Sequence, residues 1–273
     1  MKKLIFPLVV SIVMAGCGGG DKKDETQKKD EKTKLEFSHK AGAEYKSSYE
    51  FDVNNKSSGD RTKFRIELTH KIVSSDKDKT VMQVKYDKIT LDATIKGISV
   101  SLTAGSEDTT GSDAGMVAAS VFGFLNKEYE ITYDGLMNKT GEKLIGDDQS
   151  MGESFKEGKV QSFVYFPSAE IKAGDTWEHD IDLKGSNKMT AKTTYNVKAV
   201  AEKEISLELN GTISGKGESF GHEFSITGSL SGSLTVDRET GLSLNTEINQ
   251  NFTLSIMGNE VPMEYTIRQS MQK

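Results

Sequence analysis

From residue 44 onward, apolar side chains recur at every second position over most of the chain. Only an extended strand can bury a period of two on one side, because its successive side chains point to opposite faces. Tyr45, Ser47, Tyr49, Phe51 and Val53 share one parity, and Phe64, Ile66, Leu68, His70 and Ile72 share another. Within 81–97, Met82, Val84 and Tyr86 keep one phase, whereas Ile89, Leu91, Ala93 and Ile95 take the other. A phase slip without a break requires a β-bulge or a turn near Asp87 and Lys88. Short strands follow at 98–103 and 128–134. After Pro167 the alternation resumes through Trp177, His179, Ile181 and Leu183, then through Met189 to Ala199, Ile205 to Leu209, Phe224 to Val236, Leu242 to Ile256 and Val261 to Met271.

Strands this long, joined mostly by short turns, predict one antiparallel meander, and a broad twisted sheet tends to curve or close. Gly228 and Gly232 interrupt an inward-facing row and are the expected bend points. A hydrophobic content of 35% suits a sheet with one face buried and one wet. The expected fold class is mainly β: a large curved antiparallel sheet, half-barrel or open barrel, made of two similar halves. One or two short helices are expected across its concave face. The first is read from Val117, Val121, Phe124 and Leu125, which recur at helical spacing over 113–126 behind a capping Ser112 or Asp113. The second, weaker one falls at 149–158.

The two halves are read from a repeat. Lys40-Ala-Gly-Ala-Glu-Tyr45 returns as Lys172-Ala-Gly-Asp-Thr-Trp177, with the following alternation in phase. Ile131-Thr-Tyr-Asp134 followed by Lys139-Thr-Gly141 returns as Leu234-Thr-Val-Asp237 followed by Glu239-Thr-Gly241. In each copy a glycine turn delivers an aromatic residue to the buried face, and a Thr-Gly turn is expected between antiparallel strands.

The amino terminus has a different logic. Lys2 and Lys3 precede an apolar run from Leu4 to Met14, and Ala15-Gly16 are small, which is the arrangement of a secretory signal peptide over 1–16. A bilayer-spanning helix needs roughly 20 apolar residues, so this run is too short to cross. Met14-Ala15-Gly16-Cys17 resembles the lipobox of bacterial lipoproteins. That resemblance implies acylation of Cys17, the only cysteine, and cleavage just before it. A lone thiol in a secreted chain has no internal disulfide partner, and acylation removes its reactivity. Gly18 stands where an aspartate would favour inner-membrane retention in such lipoproteins, so the resemblance implies a lipid anchor in the outer membrane, periplasmic or surface-exposed. Residues 17–34 contain no apolar side chain after the cysteine and read as a lipidated flexible tether with a reach of roughly 20 to 25 Å. The β domain is then 35–273, with halves at about 35–166 and 167–273.

Phe166-Pro167, Lys172-Ala-Gly-Asp-Thr-Trp177 and Val236-Asp-Arg-Glu-Thr-Gly241 together resemble a family of uncharacterised bacterial lipoproteins. More loosely, the expected architecture resembles the half-barrel of the LolA and LolB lipoprotein carriers, which implies a concave apolar face able to take acyl chains.

The formal charge of −6 becomes −8 when Lys2 and Lys3 leave with the signal, and an acidic domain offers no footprint for nucleic acid or for anionic headgroups. Gly217-Glu-Ser-Phe-Gly221 matches G-x-S-x-G, but a nucleophile elbow needs a helix after the turn and strand pattern follows here. His39, His70, His179 and His222 lack ligand spacing, and Asp180 and Asp182 fall on a wet face. The reading is therefore a non-enzymatic envelope lipoprotein with no cofactor and no metal, an interaction or envelope-maintenance module joined to the membrane through Cys17. The alternative is a carrier or sensor of a lipid or other hydrophobic ligand, with Tyr49, Phe51, Phe122, Phe124 and Trp177 lining an apolar cavity. The same five side chains would also serve as plain core filling.

Overall fold

The computed structural model describes residues 31–103, 125, 127–146, 164–183, 188–219 and 222–272. The first half contributes β1 (Glu44–Asn55), β2 (Arg61–Ser75), β3 (Lys79–Ile95), β4 (Ile98–Thr103), β5 (Glu128–Asp134) and β6 (Lys139–Leu144). The second contributes β7 (Thr176–Leu183), β8 (Lys188–Val200), β9 (Glu204–Ser219), β10 (His222–Asp237), β11 (Ser243–Ile256) and β12 (Asn259–Gln272). All belong to one 12-stranded antiparallel sheet in the order β6-β5-β3-β2-β1-β12-β11-β10-β9-β8-β7, with β4 also on β3. The sheet is open, with β6 and β7 at its two ends. Both expected helices, at 113–126 and 149–158, fall almost wholly outside the described residues, and the described residues contain no helix.

The phase slip in β3 is a bulge. Glu67 pairs with Lys88 but Leu68 pairs with Tyr86, so Asp87 is looped out and the inward parity switches. Both Tyr86 and Ile89 are thereby buried on the same face.

Geometry repeats between the halves where the sequence does. The Gly42 N–H donates to Ile72 O and the Gly174 N–H to Val197 O, each at 2.8 Å. Register then shifts between Ile72 and Ser74 on β2, and between Val197 and Ala199 on β8. A second matching shift falls between Thr132 and Tyr133 on β5, and between Thr235 and Val236 on β10. On β3, β5 pairs with Lys79–Lys85 and β4 with Thr90–Ile95. Laid end to end, β4 and β5 thus occupy the one position that β10 fills unbroken beside β9.

The Thr-Gly motifs differ from the expectation. In the second half Asp237 Oδ1 accepts from the Thr240 N–H and hydroxyl, and Gly241 closes the turn at φ 73°. In the first half the turn comes earlier. Asp134 Oδ1 accepts from the N–H groups of Leu136 and Asn138, so Lys139-Thr-Gly141 already lies in β6. The Asp134 carboxylate finds its donors two and four residues on and closes the chain before Thr140 is reached.

One face of the sheet is buried and the other carries charge. On the outer face Glu247, Arg268, Glu50 and Lys63 form a chain of ion pairs across β11, β12, β1 and β2, at 3.0–3.2 Å. Each such exposed pair is worth about 0–1 kcal/mol, so the ladder marks the wet side more than it stabilises the fold. The inner face gathers side chains from both halves into a single apolar cluster. Gly228 and Gly232 sit where β11 comes close: a Cβ on Gly228 would lie 2.3 Å from Asn251 O, and one on Gly232 would lie 2.2 Å from Glu247 O. No side chain fits where a neighbouring backbone comes so close.

A strap ahead of β1 closes one end. Thr33, Leu35, Phe37 and His39 are buried while the residues between them are exposed, so the alternation begins inside the segment assigned to the tether. Thr33 and Ile171 exchange backbone hydrogen bonds at 2.8 and 2.7 Å, the Phe37 N–H donates to Gly135 O, and the Ser38 N–H donates to Thr240 O. The strap therefore crosses the turns β5–β6 and β10–β11. Arg238 pins its start, with Nη2 2.7 Å from Glu31 Oε1, Nε donating to Thr33 Oγ1 and Nη1 to Ala201 O. Arg238→Ala is expected to free residues 31–33 locally: amide exchange at Thr33 and Ile171 rises at least tenfold while the sheet's exchange is unchanged. Equal exchange in both proteins would show that the strap is held without the guanidinium.

Candidate functional site

The inner face has two ends of different character. The end crossed by the strap is filled. Leu35, Phe37, Tyr129, Tyr133, Tyr195 and Ile205 are each at most 4% exposed. Tyr165 ties the two ends of the sheet together here. Its ring stacks on His179 of β7 at 3.8 Å, and its carbonyl accepts from Trp177 Nε1 at 2.9 Å. The next residue, Phe166, donates its N–H to Leu136 O beside β5. Tyr165 is an electrostatic neighbour of both Tyr133 on β5 and Tyr195 on β8. Strands from opposite ends of the sheet order therefore meet around one residue, and the sheet must curl inward to allow it.

This filled end carries little charge. Burial pushes the Tyr49 phenol up to about 12 and those of Tyr133 and Tyr195 higher still, and it also raises that of Tyr265, farther along the face opposite Val53, so all stay protonated at neutral pH. His70 Nε2 lies 2.6 Å from Ser47 Oγ, and Nδ1 lies 3.3 Å from Met82 Sδ. Burial lowers its pKa to about 4, so the imidazole is neutral. On the β6 edge the Glu142 carboxylate is paired with Lys139 at 2.7 Å. A serine beside a histidine invites a nucleophile reading, but His70 offers its second nitrogen to a thioether. The Asp87 carboxylate favours the cation, but burial outweighs it.

Towards the opposite end Val53, Phe64, Ile66, Phe252, Ile256 and Val261 are partly buried and pack against the core, with Phe224, Ile226 and Leu254 buried among them. The partly buried ones continue the inward rows of β1, β2, β11 and β12. Among the described residues no strap crosses this end. The inner face is thus an apolar, aromatic-rich surface, sealed at the strap end and only partly buried along the inward rows that lead to the β1–β2 and β11–β12 turns. Such a surface solvates hydrocarbon and offers an ionic group nothing.

Tyr49 and Phe51 lie on β1 and are 5% and 4% exposed, Phe51 stacking on Tyr265 with centroids 6.2 Å apart. Trp177 is half-buried on β7, parallel to Tyr195 at 4.9 Å, and packs against the same cluster. Phe122, Phe124 and Cys17 lie outside the described residues. Gly217 and Ser219 end β9 and His222 opens the antiparallel β10, with Ser219 paired to His222; Phe220 and Gly221 of the G-x-S-x-G segment lie outside the described residues. Sequence reasoning missed Tyr165, and it took Phe166 only as part of the Phe166-Pro167 motif; together these two residues join the sheet ends. Their one signal was an apolar tripeptide directly ahead of Pro167.

Comparison with known proteins adds a family likeness. The profile described as "Family of unknown function (DUF6263)" matches residues 147–243, a stretch that includes β7 to β10. No curated protein matches the chain. Among solved structures, one described as "Lipid-protein interactions in lipovitellin" is similar over 86% of this chain at 10% identity and TM-score 0.49. This chain spans 25% of that one's length. DynF from the dynemicin biosynthesis pathway of Micromonospora chersina is similar over 94% of this chain and 93% of its own, at 5% identity and TM-score 0.23. The COG4313 outer membrane channel from Pseudomonas putida F1 is similar over 86% and 98%, at 9% identity and TM-score 0.21.

Proposed function

We propose that this chain is a non-enzymatic lipoprotein of the bacterial cell envelope, acylated at Cys17 and held at the outer membrane. Its sheet, a half-barrel built from two copies of one motif, takes up the hydrocarbon part of a lipid or another apolar ligand. The observation that carries this reading is the contrast between the two ends of the inner face, one filled by the strap and the tyrosines, the other lined by partly buried Phe64, Phe252, Val261 and their neighbours. Several apolar side chains left partly accessible at one end, while the other end is sealed, are what a face that takes up an apolar ligand needs. Each methylene moved from water onto it contributes about 0.8 kcal/mol, so a chain of roughly ten carbons is long enough to offset the cost of losing its freedom.

Native mass spectrometry of the protein taken from membranes in mild detergent tests the proposal. A bound lipid or fatty acid is expected in addition to the covalent acyl chains on Cys17. Phe64→Glu with Phe252→Glu is expected to lower retention at least tenfold while the far-ultraviolet spectrum is unchanged. Repeated recovery of ligand-free protein would favour the interaction or envelope-maintenance module. Palmitate labelling that persists in Cys17→Ser would refute the anchor independently.

A further inference from the structure

The rim of the open end has a chemistry of its own. The β3–β4 hairpin turns at Lys96 and Gly97, with φ 50° and 79°, and the β11–β12 hairpin turns at Met257 and Gly258, with φ 52° and 77°. A two-residue turn with both residues left-handed matches the twist of its strands and favours Asn, Asp or Gly in the first position. Here that position in β11–β12 is methionine, 63% exposed, and the residue leaving the β3–β4 turn is Ile98, 68% exposed. They are the most exposed large hydrophobic side chains among the described residues, ahead of Val73 at 43% and Ile145 at 36%.

Neither tip is loose. The β1–β2 turn lies between them in the sheet order and is bonded to both neighbouring hairpins. The Lys96 N–H donates to Asp60 Oδ1 at 2.7 Å, the Lys56 N–H donates to Pro262 O at 3.0 Å, and Lys56 Nζ pairs with Glu264 at 2.5 Å. The rim is a stitched row of two apolar points separated by a polar turn, with Lys96, the Lys56–Glu264 pair, Asp60 and exposed Glu260 beside them, so it carries charge of both signs. Two single side chains on tight turns form no contiguous patch of the size a protein partner needs. They are sufficient for shallow entry into a lipid interface, where an apolar tip passes the headgroups and lysine stems stay level with them.

We propose that this rim docks into the surface of a phospholipid membrane, with Ile98 and Met257 entering the boundary between headgroups and acyl chains. Docking would set the partly buried Ile256, Val261 and Phe252 directly above the hydrocarbon, so that an apolar ligand passes between bilayer and hollow without crossing water. The purpose of the contact rests on the ligand reading above; its geometry does not.

The full chain, reconstituted on dioleoylphosphatidylcholine vesicles, provides the test. Met257→Trp and, separately, Ile98→Trp are compared with Val73→Trp at the opposite end, each as a difference from the parent with Trp177 alone. Brominated phosphatidylcholine is expected to quench the tryptophan at 257 and at 98 by at least half, with a blue shift, and to leave that at 73 unquenched. Either tip serves as reporter if the other variant fails to fold. Unquenched emission at both tips, or quenching at 73 equal to that at the tips, overturns the proposal. Ligand retention is read separately: unquenched tips with retained lipid sink the docking alone, and quenched tips without lipid sink the ligand reading alone.

Discussion

Gly228→Ala is expected to lower the free energy of unfolding by roughly 3 kcal/mol, the upper end of what overpacking costs. The added methyl would meet Asn251 O at 2.3 Å, Phe252 Cβ at 2.5 Å and Phe252 Cα at 2.6 Å. None of these is the loose end of a side chain. They belong to β11, which pairs with β10 over nearly its whole length, so relief requires moving a strand. Gly141→Ala is the control. Its Cβ would lie 3.7 Å from Thr132, an ordinary contact, and replacing a strand glycine there should leave stability within about 0.5 kcal/mol or raise it slightly. Chemical denaturation of the two variants and the parent checks both. Equal midpoints for Gly228→Ala and Gly141→Ala would mean that β11 does not come as close to β10 as the structure has it.

His70 is expected to make the fold acid-sensitive. Its imidazole titrates at about 4 in the folded protein because burial disfavours the cation, against about 6.5 in an unfolded chain. Between these values the unfolded state binds the proton and the folded state does not, so stability falls as pH drops. The contribution is whole above pH 6.5 and is lost progressively down to about pH 4, amounting to about 3 kcal/mol. Asp52, held low chiefly by its hydrogen bond from Arg61, gives up its own contribution as pH falls further through its folded value. His179, lowered by burial, acts in the same direction as His70. The His70 share is isolated by difference: His70→Gln keeps a polar group near Ser47 and cannot titrate, so its unfolding free energy should decline less steeply between pH 6.5 and 4. Identical slopes would place His70 in contact with water.

Much of the sheet was legible in the sequence because a period of two has a local cause. Parity in Tyr45 to Val53 marks the inner face of β1 directly, and a change of parity between Tyr86 and Ile89 can only be a bulge or a turn, which the pairing around Asp87 resolves as a bulge. The paired Gly42 and Gly174 turns were legible for the same reason. The Thr-Gly motif misled, since Thr140 and Gly141 look like Thr240 and Gly241. The earlier competition for backbone donors by Asp134 decides which residues turn. The strap was cut short because the polar run through Lys34 masks Thr33 as the first member of the buried row.

By itself the sequence determined the strands, their inward sides, the glycines that interrupt them and the Met14-Ala15-Gly16-Cys17 signature. These depend on the order of a few neighbouring residues, and the pleat of a strand converts that order into a face without reference to the rest of the molecule. Only the tertiary structure decided that β12 returns to pair with β1, that Tyr165 gathers strands from both ends of the sheet, and that the strap crosses one end of the inner face. The pairing of β12 with β1 and the bonds from Thr33 to Ile171 join residues more than a hundred positions apart. Alternation states which side of a strand avoids water, and it is silent on which distant segment covers it.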